Sequence, residues 1–196
     1  MYRGVDTACL KDGIMNKRLI TLSAIVALAA LARLLPHPPN VTPVAAMALF
    51  AGAQIRDRRV AFLLPIAAMF ASDLVLGFAV YGATMLKSQP AVYLCMLVTV
   101  VIGRLVRNKR SVSKIAAATF ANAVIFYLVT NFSVWTGDAL YPKTWSGLIA
   151  CYIAAIPFFR NSLVGDFSFV AVLFGGFGAL ENFFVSLREQ QDPLSA

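Results

Sequence analysis

Apolar runs follow one another down this chain, and only short, mostly basic turns separate them. Residues 19–35, 44–55, 60–78, 91–106, 115–135 and 163–185 form six such runs. A helix needs about 20 apolar residues to cross the hydrocarbon core of a bilayer. Lipid offers the backbone no hydrogen-bond partner, so each run has to satisfy its own N–H and C=O groups as a helix. The chain is 60% hydrophobic and only 13% charged over 196 residues, about half the charge of a soluble domain. The expected fold is therefore an all-α integral membrane protein of about six transmembrane helices. It forms one transmembrane domain over residues 19–187, with a cytoplasmic N-terminal tail at 1–18 and a C-terminal tail at 188–196. The tail at 1–18 reads as polar and disordered, and the MNKR string at 15–18 looks like a natural start. A secretory signal would use the same cations, with Ala30-Leu31-Ala32 as its cleavage site. The later runs need a membrane in any case, and residues 19–35 can span if Arg33 snorkels outward.

The net charge of +8 does not point to nucleic acid. Its Lys and Arg residues sit in turns between apolar runs: Lys17 and Arg18, then Arg56, Arg58 and Arg59, then Arg104 to Lys114. Cations concentrate on the cytoplasmic side of membrane proteins. These turns are expected inside, and the loops near 36–43, 79–90 and 136–144 outside. The reading is a multi-pass protein of a bacterial cytoplasmic (inner) membrane with its N-terminus in the cytoplasm, and the lipid bilayer as its surroundings.

Two stretches interrupt this pattern. PHPPNVTP at residues 36–43 holds four prolines, each of which fixes φ and removes a donor, so the segment is a rigid extended connection. Residues 145–159 are apolar but short and contain Pro157. They are expected to fold back as an external capping segment before the last helix, with a polar turn at Arg160, Asn161 and Ser162. Gly175, Gly176 and Gly178, with Ala171 and Ala179, read as a helix-packing surface.

Ionisable groups inside apolar runs carry the functional expectation, because a charge in lipid persists only when it is paired or wetted. Asp73 and Asp166 fall near the external face, as do Arg33 and Arg160. Glu181 reads as an anchor at the inner boundary. The candidate substrate-binding residues are His37, Pro38, Asn40, Asp73, Asn131, Trp135, Tyr141, Trp145, Arg160 and Asp166. Pro38 and Asn40 would form a rigid edge. Asp73, Asn131 and Asp166 would make polar contacts, and Trp135 and Trp145 would stack. An aromatic belt at the interface accounts for the same Trp and Tyr residues without any ligand.

Single His37 and three cysteines without a CxxC signal no metal site and no disulfide framework. GxxxxGK[ST], HExxH and GxSxG are absent. No catalytic residue, metal or cofactor is expected, and the chain is not expected to be an enzyme.

Three strings are distinctive: PHPPNVTPVAAMALFAGA at 36–53, SDLVLGF at 72–78, and TNFSVWTGDALYPKTWSGLIACYIAAIPFFRNSLVGD at 130–166. Together they resemble an uncharacterised family of small bacterial membrane proteins. That family is in turn similar to the substrate-binding S components of energy-coupling-factor (ECF) vitamin transporters. The resemblance implies an S-component-like bundle with an external-facing pocket, and ATP hydrolysis left to a partner energy-coupling module. The cobalamin type in that group is associated with a cysteine in an external loop. Residues 79–90 hold no cysteine, so no ligand set carries over. The expected function is membrane transport, with capture of a vitamin-sized small-molecule solute at the outer face. A membrane scaffold or assembly factor without a solute, and a lipid-modifying membrane enzyme, are the alternatives.

Overall fold

A computed structural model describes residues 7–77, 89–109, 111–137 and 139–187. The regular elements among them are helical: α1 (Thr7–Ala32), α2 (Val44–Gln54), α3 (Arg58–Leu76), α4 (Gln89–Val106), α5 (Val112–Gly137) and α6 (Trp145–Phe183). Short 3-10 turns follow α4 at Arg107–Lys109 and α6 at Val185–Leu187. Three helices, α3, α5 and α6, are each long and apolar enough to cross a membrane, while Val44–Gln54 and Pro90–Val106 are apolar but shorter. Large apolar side chains cover the outside, among them Leu28, Leu63, Leu105 and Val172. An outer surface this apolar suits lipid and not water.

The centre of the bundle is α2. All eleven of its residues are buried, so a helix that reaches only about 16 Å is covered on every side. Its composition permits this. Alanines at 45, 46, 48, 51 and 53 and Gly52 keep the surface low, so neighbouring backbones come close. At the α2–α4 crossing a Cβ on Gly52 would run into the Val100 backbone, and one on Gly103 into Leu49 O. Phe50 is the large exception on α2. It packs edge-to-face on Phe174 at 5.2 Å and on Phe177 at 5.7 Å, which fixes α2 along the second half of α6.

The helix ends are satisfied locally. Asp57 caps α3 by accepting from Val60 N at 2.9 Å, and Thr144 caps α6 by accepting from Gly147 N at 3.2 Å. Beyond the last turn of α2, Ile55 O accepts from Arg107 Nη1 at 2.5 Å and from Arg104 Nη1 at 3.5 Å. Cations at a helix C-terminus answer both the orphan carbonyls and the helix dipole. The same end of the bundle holds Arg18, which reaches Glu181 Oε1 at 2.5 Å, Gln54 Oε1 at 3.2 Å and Leu187 O. Lys17, Arg56 and Arg104 thus mark one basic end, and the Pro-rich loop and residues 139–144 mark the other.

Three expectations change here. Residues 145–159 and 163–185 do not form a cap and a separate last span. They lie on one helix, α6, 39 residues long, or about 58 Å, nearly twice the hydrocarbon thickness. Pro157 removes only one helical hydrogen bond, and Asn161 finds a partner outside the helix, so neither breaks it. Residues 7–18 are not irregular either, because α1 starts at Thr7 and runs through the polar stretch into the apolar one. The expected small-residue packing surface is open: a Cβ on Gly175, Gly176 or Gly178 would meet nothing within 4 Å. The close-packed glycines are instead Gly52, Gly103, Gly147 and Gly165. Residues 79–88 and 188–196, to which a loop and a tail are assigned above, lie outside the described residues.

Candidate functional site

At the Pro-rich end, α5 and α6 form an antiparallel hairpin locked by two tyrosines. Tyr127 Oη donates to Tyr152 O at 2.6 Å, and Tyr152 Oη donates to Leu128 O at 2.8 Å. Cys151 Sγ donates to Asn131 O at 3.5 Å in the same layer. Next to this hairpin lies a partly open cavity of about 390 Å³. From α5 it is lined by Ala123, Phe126, Tyr127, Thr130, Asn131 and Val134, positions three and four apart that share one helical face. From α6 it is lined by Ala155, Phe158, Phe159 and Ser162, again one face. Tyr127 and Phe159 meet across the two helices with ring centroids 4.9 Å apart. Val44, Met69 and Val92 complete the apolar part, and Asn40, Thr42 and Arg33 add polar groups.

The Pro-rich loop is seated on α6. Asn161 Nδ2 donates to Pro39 O at 3.2 Å, and a Cβ on Gly165 would lie 3.1 Å from Val41 Cα. A glycine at 165 is what lets the loop approach this closely. Within the loop Val41 N donates to Pro38 O at 3.1 Å. Asn40 adopts φ 63°, a left-handed conformation that Asn tolerates better than most residues.

Arg33 does not snorkel outward. It is buried, and its Nη1 donates to Asp73 Oδ1 at 2.7 Å, to Ser72 Oγ at 2.6 Å and toward Met69 Sδ at 3.0 Å. Asp73 Oδ2 accepts from Tyr93 Oη at 2.8 Å. The ion pair therefore ties α1, α3 and α4 together, and Arg33 is the part of it that faces the cavity. A deeper polar contact joins α4 and α5 at Thr99 and Asn122, both buried. Thr99 Oγ1 also lies 2.7 Å from Cys95 O. The Thr99 hydroxyl thus faces two acceptors, Cys95 O and Asn122 Oδ1.

Of the residues singled out in the sequence, Asn40 and Asn131 line the cavity, and Asp73 lies behind Arg33. Asp166 is buried on the face of α6 that carries Ser162, one turn further along. His37 and Pro38 are exposed in the loop, with His37 Nδ1 3.1 Å from Pro38 O. Trp135 Nε1 donates to Pro142 O at 3.0 Å, and Lys143 Nζ lies 5.8 Å from its ring centroid. Tyr141 is half-buried in the connection, while Trp145 and Arg160 are exposed. The rings that face the cavity are thus Phe126, Tyr127, Phe158 and Phe159, which the sequence did not single out. Aromatics at helical spacing inside an apolar run look the same whether they face lipid or a cavity.

A family model covers residues 14–188. The chain belongs to the family of unknown function DUF6580. The stretch shared with DUF6580 takes in the Pro-rich loop and every residue that lines the cavity. Comparison with curated proteins and with solved structures returns no match. Among the described residues of this DUF6580 chain, no three His, Cys, Asp or Glu side chains come together as a metal site, and Cys95 and Cys151 are buried free thiols.

Proposed function

We propose that this protein captures a vitamin-sized solute at the outer face of a bacterial cytoplasmic membrane, in the manner of an S component, for transport into the cell. The observation that carries the reading is the partly open cavity of about 390 Å³ between α5, α6 and the Pro-rich loop. Sites for small molecules are concave and mostly apolar, with a few convergent polar groups. Here a ring wall supplies the first property, and Arg33, Thr130, Asn131 and Ser162 the second.

In this reading all six helices cross or enter the bilayer, alternating in direction, with α2 enclosed by the others. The basic end faces the cytoplasm with the N-terminus, following the distribution of cations. The first part of α6 extends beyond the hydrocarbon layer and, with α5, forms one wall at the mouth of the cavity. A separate energy-coupling ATPase module would drive release, because the sequence has no phosphate-binding loop of its own.

One observation favours a partner in the membrane as well. The face of α6 that carries Ala171, Gly175 and Ala179 is uncovered, and small residues four apart allow another helix close approach. A coupling module and a scaffold partner would use this face equally, so the cavity distinguishes the two readings. Native mass spectrometry of the protein released from nanodiscs tests it. A bound small molecule is expected on the unmodified chain and is lost in Tyr127→Ala. A chain that carries no small molecule in either form, after expression in rich medium, would favour the scaffold.

A further inference from the structure

Arg33 brings more donors to the cavity than the protein uses. A guanidinium carries its N–H groups in a rigid fork. Those of Nη1 go to α3, to Asp73 Oδ1 at 2.7 Å and Ser72 Oγ at 2.6 Å. Those of Nε and Nη2 have no hydrogen-bond partner among the described residues. The side chain is only 8% exposed, and an unpaired N–H in such surroundings is costly. Ser72 and Asp73 do not line the cavity, and Arg33 does. The guanidinium therefore holds α3 with one edge and offers the other to the cavity. Asn131 is a second half-used group on the same lining. Its Nδ2 donates to Tyr127 O at 2.8 Å, which leaves Oδ1 as an acceptor without a partner among the described residues. Charge is the remaining constraint. Among the described residues Arg33 is the one charged side chain on the lining, and Asp73 at 2.7 Å cancels it.

We infer that the solute is an uncharged aromatic amide, whose carbonyl oxygen is held by the open edge of Arg33. The inference rests on the capture reading above and names the substrate class of the same cavity. Each part of such a molecule answers one part of the lining. Its oxygen accepts from Nε and Nη2 of Arg33, in a bond strengthened by the guanidinium charge. Its amide N–H donates to Asn131 Oδ1. Its ring lies against Tyr127 and Phe159, the pair that forms the wall between α5 and α6. A carboxylate would fit the fork as well. It would also put a second carboxylate on a guanidinium that Asp73 already neutralises, and leave a negative charge uncompensated in apolar surroundings. A cationic head would meet a side chain of its own sign.

Three probes of matched shape separate the charge classes: 2-naphthamide, 2-naphthoate and 2-naphthylmethylammonium. Binding of each to the full chain in nanodiscs is measured by equilibrium dialysis, with empty nanodiscs as the blank, and normalised to protein that elutes as folded on gel filtration. The amide is expected to bind at least about tenfold more tightly than either ion. Arg33→Lys keeps a cation for Asp73 but loses the second edge, and amide binding should weaken by about tenfold. Arg33→Met/Asp73→Leu removes the pair without leaving a charge unpaired, and amide binding should weaken likewise. Equal or tighter binding of either ion to the unmodified chain overturns the amide inference and keeps the cavity. So does amide binding at full strength in folded protein of either variant. Failure of all three probes to bind the folded, unmodified chain overturns the capture reading itself and this inference with it.

Discussion

Arg33, in the turn that follows α1, donates to Asp73 on α3 at 2.7 Å, and both side chains are buried. Removing one member leaves the other charge without its partner in a low-dielectric interior, at a cost of roughly 3–5 kcal/mol. Asp73→Asn and Arg33→Leu are each expected to lower the yield of folded protein sharply. The double variant Arg33→Met/Asp73→Leu should recover most of that yield, since a well-packed apolar pair can replace a buried ion pair. Fluorescence-detected gel filtration of tagged chains reads both effects. Full yield of either single variant would mean that the pair does not hold α1 to α3.

The glycines divide into two groups with opposite expectations. Gly52→Ala places a methyl group against the Val100 backbone at the α2–α4 crossing, and overpacking of this kind costs about 1–3 kcal/mol. Gly175→Ala and Gly176→Ala meet open space and, in a helix, alanine is favoured over glycine by up to about 1 kcal/mol. Thermal denaturation in detergent should therefore fall for Gly52→Ala and hold or rise for the other two.

The positions of the helices were legible because lipid makes length and charge decisive. The basic turns at Arg56 to Arg59 and Arg104 to Lys114 separate the same helices in the sequence and in the structure. The shortness of α2 was legible too, since Pro43 and the loop before it leave few residues for a helix. The continuity of α6 was not. A helix need not match the membrane thickness, and nothing in residues 145–183 requires this one to. Which way Arg33 turns depends on Ser72, Asp73 and Tyr93, residues that only folding brings to it. The cavity's rings escaped for the same reason: Tyr127 and Phe159 are far apart in sequence, and their helices' rotation is set by packing against each other, α2 and α4.

Orientation can be read from two exposed positions at opposite ends. Asn108 follows α4 at the basic end, and Trp145 begins α6 at the other. In a cysteine-free background, Trp145→Cys should react with a membrane-impermeant maleimide in intact cells, and Asn108→Cys only after lysis. This follows from the cations around Arg104 and Lys114 facing the cytoplasm. The opposite pattern would invert the protein, and equal labelling of both would mean that α5 does not separate the two ends.

The ring wall gives the last prediction. Tyr127 and Phe159 meet at a tilt with ring centroids 4.9 Å apart, and the Tyr127 hydroxyl also donates to Tyr152 O. The two roles of Tyr127 can be separated. Tyr127→Phe keeps the ring and loses a hydrogen bond worth about 1 kcal/mol, so stability should drop slightly and binding of the aromatic probes should persist. Phe159→Ala keeps the hydrogen bond and loses a ring contact worth about 0.5–1.5 kcal/mol, so binding should weaken by roughly threefold to tenfold while the hairpin stays closed. Trp145→Ala removes a ring that is 82% exposed and outside the cavity, and binding should not change. Dialysis binding alongside thermal denaturation measures both quantities on each variant. If Trp145→Ala weakens binding and Phe159→Ala does not, the solute sits at the membrane surface beside α6, and the cavity between α5 and α6 is only a packing void.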